Sequence, residues 1–196
     1  ALLLEAIAGE DGYDPRQYNV KTAQYTKALE GKKGIKGMKI AVIKEGYEAE
    51  NAEKDVNTKV RAAVKKLQAL GAKVKEVSIP MHPLGGALWI PIGVEGLTQT
   101  MMHGDGYGIS RPDLYVTSLM DKHRGWRERA DELSETTKLF TLLGTYINRQ
   151  HGNRYYGKAM NITRLLTAAY DAVLADYDLL LTPTTPVKAT PLPGPD

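Results

Sequence analysis

Four serines (Ser78, Ser110, Ser118, Ser134) and four histidines (His82, His103, His123, His151) are the side chains of this 196-residue sequence best suited to nucleophilic or acid–base chemistry. A serine becomes a nucleophile only where a base takes its proton and oriented N–H groups receive the oxyanion. None of the four lies in a G-x-S-x-G turn or opens an S-x-x-K tetrad. The histidines share no H-E-x-x-H or other close ligand spacing, so each reads as a surface or hydrogen-bonded side chain. Asp105, Asp113, Asp121, Asp131 and Glu132 supply carboxylates, but an acid–base pair needs fixed geometry and separated pKa values. Gly104-Asp105-Gly106-Tyr107-Gly108 lacks the Lys-Ser/Thr and the strand-to-helix setting of a phosphate cradle, and reads as a loop. Arg124, Trp126, Arg127 and Arg129 could hold an anion or stack on a base. The preferred reading packs them against neighbouring helices with their charges in water. Asn161-Ile162-Thr163 matches a glycosylation acceptor by chance, inside a helical pattern. Residue types and spacing alone thus give no complete catalytic set and no metal site.

The sequence holds no cysteine, which removes disulfides, thiolate ligands and a cysteine nucleophile and fits a reducing cytoplasm. Hydrophobic residues make up 42% and charged residues 25%, an ordinary balance for a soluble globular chain able to build a core. No apolar run approaches the ~20 residues that span a bilayer, so no membrane partner is expected. The net charge is only +3. The basic stretch from Lys27 to Lys39, with Lys32, Lys33 and Lys36, is short and lacks arginine and aromatics, which favours a solvated connection over a nucleic-acid arm.

These residues must be placed by a few strands and many helices. Residues 1–8 have helical composition ending at Gly9, and Asp11-Gly12-Tyr13-Asp14-Pro15 is a turn. Met38 to Lys44 is a short β-branched run that predicts a buried strand. Val56, Val60, Ala63, Val64, Leu67 and Leu70 mark one face of a helix over residues 55–70. Val74, Val77 and Ile79 then predict a second strand closed by Pro80, which completes a βαβ unit with a right-handed crossover. Leu84 to Met102 is apolar, and Pro91 should break that helix or delay its start. Residues 115–129 are expected to be helical. Ser134 predicts an N-cap, and a long helix follows over residues 154–176. Asp178 to Leu181 enters a strand whose partner is expected elsewhere, in sequence outside this chain. A proline-rich stretch runs from Pro183 to Pro195.

Four stretches, weak singly but fairly specific in their order, together resemble the amidase-signature family. They are Ala1 to Gly9 with Asp14-Pro15; Met38 to Val42 with the helix to Ala72 and strand to Pro80; Leu133-Ser134-Glu135-Thr136-Thr137-Lys138-Leu139; and Tyr156-Gly157-Lys158-Ala159 with Asp178-Leu179-Leu180-Leu181-Thr182-Pro183-Thr184-Thr185-Pro186. The third is similar to a helix start in bacterial enantioselective amidases of the nitrile pathway. The resemblance covers nearly the whole chain. It implies an α/β fold: part of a mixed sheet flanked by helices, with a helix-rich second half. It also implies that residues 1–196 form one partial domain, truncated at both ends.

What the resemblance implies for function is hydrolysis of a small-molecule carboxylic amide to acid and ammonia. The family uses a serine nucleophile with a Ser-cisSer-Lys relay and a glycine- and serine-rich oxyanion loop, and needs no cofactor. That machinery would precede Ala1, so no catalytic residue is expected here and this stretch alone should be inactive. Thr185, at the strand end near the acyl site, and Trp89, at the position of a pocket aromatic, are the substrate-binding candidates. Core packing is the competing role for Trp89. The resemblance also allows a homodimer. The alternatives are a non-catalytic interaction fragment and part of a tRNA-dependent amidotransferase.

Overall fold

The computed structural model describes all residues except 15, 18, 31–33, 110–112, 193, 195 and 196. Pro15 of the first turn, Lys32 and Lys33 of the basic stretch, Ser110, and Pro195 of the closing stretch therefore lie outside the described residues. In chain order the elements are α1 (Leu2–Ile7), α2 (Tyr25–Glu30), β1 (Lys39–Ile43), α3 (Lys54–Ala69), β2 (Lys73–Val77), α4 (Leu84–Gly96), a π-helical segment (Leu97–His103), α5 (Thr117–Arg124), α6 (Glu135–His151), α7 (Arg154–Leu174) and β3 (Leu179–Leu181). They form two compact units: one of residues 1–32 and 88–161, the other of residues 33–87 and 162–196.

The second unit is built on β1. Its Ile40, Ala41, Val42 and Ile43 are all buried because a strand with neighbours on both edges and a covered face needs apolar residues throughout. Burial of each large aliphatic side chain there contributes roughly 1.5–3 kcal/mol. The helix α3 forms where predicted, but only Val56, Val60, Val64 and Leu67 of the predicted face are half-buried while Ala63 and Leu70 are exposed, and Gly71, with φ +93°, turns the chain into β2. The sheet order is β2-β1-β3 and every pairing is parallel, with Ala41 opposite Lys75 on one side and Leu180 on the other.

This corrects the expectation that the strand at Leu180 has its partner outside the chain. β3 pairs with β1 over Ile40–Val42, and Asp178 fixes the register: its carboxylate accepts the Lys39 N–H at 2.7 Å, and its own N–H donates to the Lys39 carbonyl at 2.9 Å. The second edge of β1 was free to take it. The α/β class and the helix-rich second half hold.

The helix α4 starts at Leu84 and runs through Pro91 without interruption, so the predicted break or delay does not occur. Proline removes one backbone hydrogen bond, but Leu88, Val94 and Glu95 of this helix are buried, and tertiary packing overrides the local penalty. Packing with α6 is close: a Cβ on Gly144 would stand 2.7 Å from the Val94 carbonyl oxygen and against the Thr98 hydroxyl. The Thr98 hydroxyl donates to the Phe140 carbonyl at 3.1 Å. Ser134 caps α6 as expected, its side chain accepting the Thr137 N–H.

Residues 115–129 are only partly α-helical. α5 ends at Arg124 and a 3₁₀ turn spans Gly125–Glu128. The end of α5 and this turn aim side chains at the end of the π-helical segment. His123 Nε2 meets the Met101 carbonyl at 2.8 Å, Trp126 Nε1 donates to Met102 at 3.1 Å, and Arg127 Nη2 donates to Met102 and His103 at 3.1 and 3.3 Å. The last carbonyls of that segment, which have no helical partner of their own, thus receive donors from the next element.

Candidate functional site

In parallel α/β sheets the carboxyl ends of the strands present the side chains that most often face a ligand. Here those ends carry Glu45 after β1, Ser78 after β2, and Thr182 after β3. The Glu45 carboxylate accepts a short hydrogen bond from the Ser78 hydroxyl and another from the Ile79 N–H at 2.9 Å. Partial burial pushes its pKa up, but these donors outweigh that and hold it below the ordinary glutamate value. An ionised, doubly engaged carboxylate is a poor base, so Glu45 ties two strand ends together rather than activating Ser78.

Gly46 follows, and a glycine is required there because a Cβ would collide with the Thr182 hydroxyl. That hydroxyl is buried and has no hydrogen-bond partner among the described residues. His82 Nδ1 lies 2.5 Å from the hydroxyl of Tyr170 on α7. Burial, and secondly the charge of Glu45, raises the Tyr170 pKa above that of an ordinary phenol. No described serine is hydrogen-bonded to a histidine, and the arrangement is polar scaffolding without an acyl-transfer pair.

Thr185 stands beyond β3 in the same unit. It is exposed, and its hydroxyl donates to the Val187 carbonyl at 2.8 Å. The strap carrying it is held to the start of α3. Glu53 N–H donates to the Pro186 carbonyl at 2.8 Å, and Lys188 Nζ reaches Glu53 and Asp55 at 2.9 and 2.8 Å. Those two carboxylates raise the Lys188 pKa further, and the Lys188 ammonium lowers that of Asp55.

Trp89 belongs to the other unit, on α4. It is 58% exposed, so within this chain the ring is not a core residue. Its indole leans on Phe140 at 6.2 Å between ring centroids, and Gly93, one turn on, leaves room for it: a Cβ there would come within 3.2 Å of the indole. Thr185 and Trp89 are therefore fixed by separate sets of contacts, one in each unit.

Other polar candidates make contacts within the fold. His103 Nε2 meets the Thr145 hydroxyl at 3.0 Å, and the His151 ring packs edge-on to Tyr155. Arg127 pairs with Asp105 at 2.9 Å and lies 5.1 Å from the Trp126 ring centre, so its donors are taken up inside the fold. Among the described residues, no three His, Cys, Asp or Glu side chains converge as metal ligands, and no helix is long and apolar enough to cross a membrane.

Sequence reasoning missed Glu95, which is 1% exposed. Its Oε2 accepts the Tyr156 N–H at 3.2 Å in the first turn of α7, while Oε1 has no partner among the described residues. One acid inside the apolar run from Leu84 to Met102 was the available signal, because a buried carboxylate requires donors. Its partner, a helix N-terminus 61 residues further on, could not be read locally.

The second unit is thus an α/β unit, a three-stranded parallel sheet whose third strand runs into the motif Asp178 to Pro186. The sequence profile of the Amidase family matches residues 1–195. The chain is 35% identical over 196 residues to an enantioselective amidase of Rhodococcus rhodochrous, covering 98% of this chain and 37% of that protein. It is 35% identical over 192 residues to the A-type chain of the glutamyl-tRNA(Gln) amidotransferase of Synechococcus sp. (strain CC9902), covering 96% of this chain and 38% of that one. The crystal structure of the corresponding glutamyl-tRNA(Gln) amidotransferase chain of Thermotoga maritima superposes with a TM-score of 0.55 at 28% identity, over 81% of this chain and 29% of that one. A bacterial aryl acylamidase of the amidase-signature family, 17% identical, shares the fold with a TM-score of 0.59, over 88% of this chain and 32% of that one. The chain belongs to the amidase-signature family. It spans less than two-fifths of the length of the curated relatives it matches.

Proposed function

We propose that the protein hydrolyses a carboxylic amide to acid and ammonia through a serine acyl-enzyme, and that residues 1–196 form the part of it that follows the nucleophile-bearing segment. The observation that carries this reading is the 35% identity to an enantioselective amidase along 98% of this chain, including the Ser134-capped helix. In this reading the Ser-cisSer-Lys relay and its oxyanion donors lie outside these residues, and Thr185 and Trp89, each in its own unit, are the substrate-binding candidates. Covalent acyl transfer needs a base, a hydroxyl and oriented N–H donors, and no metal or organic cofactor. A cytoplasmic location and a homodimer complete the proposal; the lack of cysteine supports the first and family resemblance the second.

The test is release of ammonia from simple aliphatic and aromatic carboxamides by the protein expressed from its complete natural reading frame. Ammonia and the matching acid in equal amounts are expected. A second reading, delivery of ammonia to a misacylated tRNA within a larger complex, is favoured by the equally similar glutamyl-tRNA(Gln) amidotransferase relatives. It predicts salt-dependent tRNA binding and ammonia release that depends on partner proteins.

A further inference from the structure

The strap from Thr182 to Lys188 leaves β3 with two prolines, Pro183 and Pro186, whose rings fix φ and restrict the residue before each. Pro183 is buried, which anchors the near end of the strap beside β3. The far end is anchored at the start of α3, and Glu53 makes most of that contact. Its N–H donates to the Pro186 carbonyl at 2.8 Å, one carboxylate oxygen accepts the Lys188 N–H at 3.2 Å, and the other meets the Lys188 ammonium at 2.9 Å. Asp55, in the first turn of α3, adds a second carboxylate to that ammonium at 2.8 Å. Glu53 holds the N-cap position of α3, where a side chain can accept an N–H of the first turn, yet it makes no such bond. Its carboxylate serves the strap instead.

These contacts bracket Thr185. Val187 lies between the two pinned residues, Pro186 and Lys188, and its carbonyl accepts the Thr185 hydroxyl at 2.8 Å. Fixing Pro186 and Lys188 therefore fixes the Val187 carbonyl, and with it the direction of the Thr185 hydroxyl. With its proton committed there, that oxygen keeps its lone pairs for a ligand. The Lys188 side chain is 60% exposed, so its ion pairs are weak singly and open to screening by salt.

We propose that Glu53, Asp55 and Lys188 form a latch that positions Thr185 for substrate, and that salt loosens it. The proposal rests on the reading of Thr185 as a substrate-binding residue. Lys188 is a positioning residue: it acts through Val187 and Thr185 and does not itself touch the substrate. A loosened latch weakens substrate binding and leaves bond breaking to groups outside these residues, so KM moves and kcat does not.

The experiment measures ammonia release from benzamide and propionamide by the protein expressed from its complete natural reading frame, together with backbone hydrogen exchange. Lys188→Met is expected to raise KM at least about threefold with kcat within about twofold, and Lys188→Arg to restore KM. In the unmutated protein KM should rise between about 0.05 and 0.5 M sodium chloride, whereas Lys188→Met should be flat over that range. In a Thr185→Val background, Lys188→Met should add no further change, because the hydroxyl it acts through is gone. The Glu53 and Lys188 amides should exchange at least about threefold faster in Lys188→Met, with the amides of β1 unchanged. A fall in kcat at constant KM, an equal effect of Lys188→Met with and without the Thr185 hydroxyl, or a KM indifferent to salt would each overturn the proposal. A protein that releases no ammonia from either amide overturns the hydrolytic reading instead; faster exchange of the two amides then still reports the latch, and unchanged exchange removes it as well. The salt series on the unmutated protein decides the matter even if a variant fails to fold.

Discussion

At the scale of single residues, the strand ends of the second unit depend on two positions. Gly46 has no space for a methyl group because the Thr182 hydroxyl fills it. Gly46→Ala should therefore destabilise the protein by about 1–3 kcal/mol, the usual cost of overpacking a close contact, as measured by denaturant unfolding. Glu45 is the second. Its carboxylate pKa lies below the ordinary value of 4.5 in the folded chain, so its ionised form is favoured by folding. The sign follows directly: the contribution is present above about pH 4.5 and is lost as pH falls through the lower folded value. Asp14, lowered from 3.8 to about 2, behaves in the same direction. Stability should thus decline from about pH 5 towards pH 2, and Glu45→Gln should flatten that decline in chemical unfolding performed across this range. An unchanged pH profile would show that the Ser78 and Ile79 hydrogen bonds contribute nothing measurable.

At the scale of elements, the contact between α4 with its π-helical continuation and α6 runs through Gly144. Its missing side chain lets the Val94 carbonyl and Thr98 come close. Gly144→Ala should cost about 1–3 kcal/mol in thermal or denaturant unfolding, although alanine is the better helix former by roughly 1 kcal/mol. A stabilising Gly144→Ala would mean that this interface yields easily. Much of the element pattern was legible in the sequence because its causes are local. β1 follows from the run Ile40-Ala41-Val42-Ile43, α3 from one apolar stripe, and α6 from Ser134 three residues before the N–H it caps. Features with distant causes were not legible. Pro91 stays inside α4 because of burial; β3 pairs with a strand some 140 residues earlier; and Trp126 and Arg127 serve the carbonyls of a π-helical segment that no local pattern announces. The same holds at the candidate sites. The motif around Thr185 could be read from spacing, whereas the Lys188 clamp to Glu53 and Asp55 requires the fold to bring the strap to α3. The exposure of Trp89 ran against its apolar neighbours Leu88 and Ile90, of which only Leu88 is buried.

At the scale of the whole molecule, apolar side chains remain uncovered in both units. Leu2, Leu3 and Ile7 on α1, Leu139 and Leu142 on α6, and Leu165 on α7 are all at least 59% exposed. Surface of this kind is normally covered by more protein. Residues 1–196 produced by themselves should therefore self-associate and melt broadly, as seen by light scattering and calorimetry; a monodisperse monomer with a sharp, reversible transition would contradict this. The relatives are more than twice as long, which is consistent with a larger protein covering these faces. The most direct measurement is ammonia release by the protein expressed from its complete natural reading frame, purified without partner proteins and supplied with a simple carboxamide. Amide hydrolysis predicts stoichiometric acid and ammonia without any tRNA. A folded protein that releases none, or does so only when a misacylated tRNA and partner proteins are added, would contradict it.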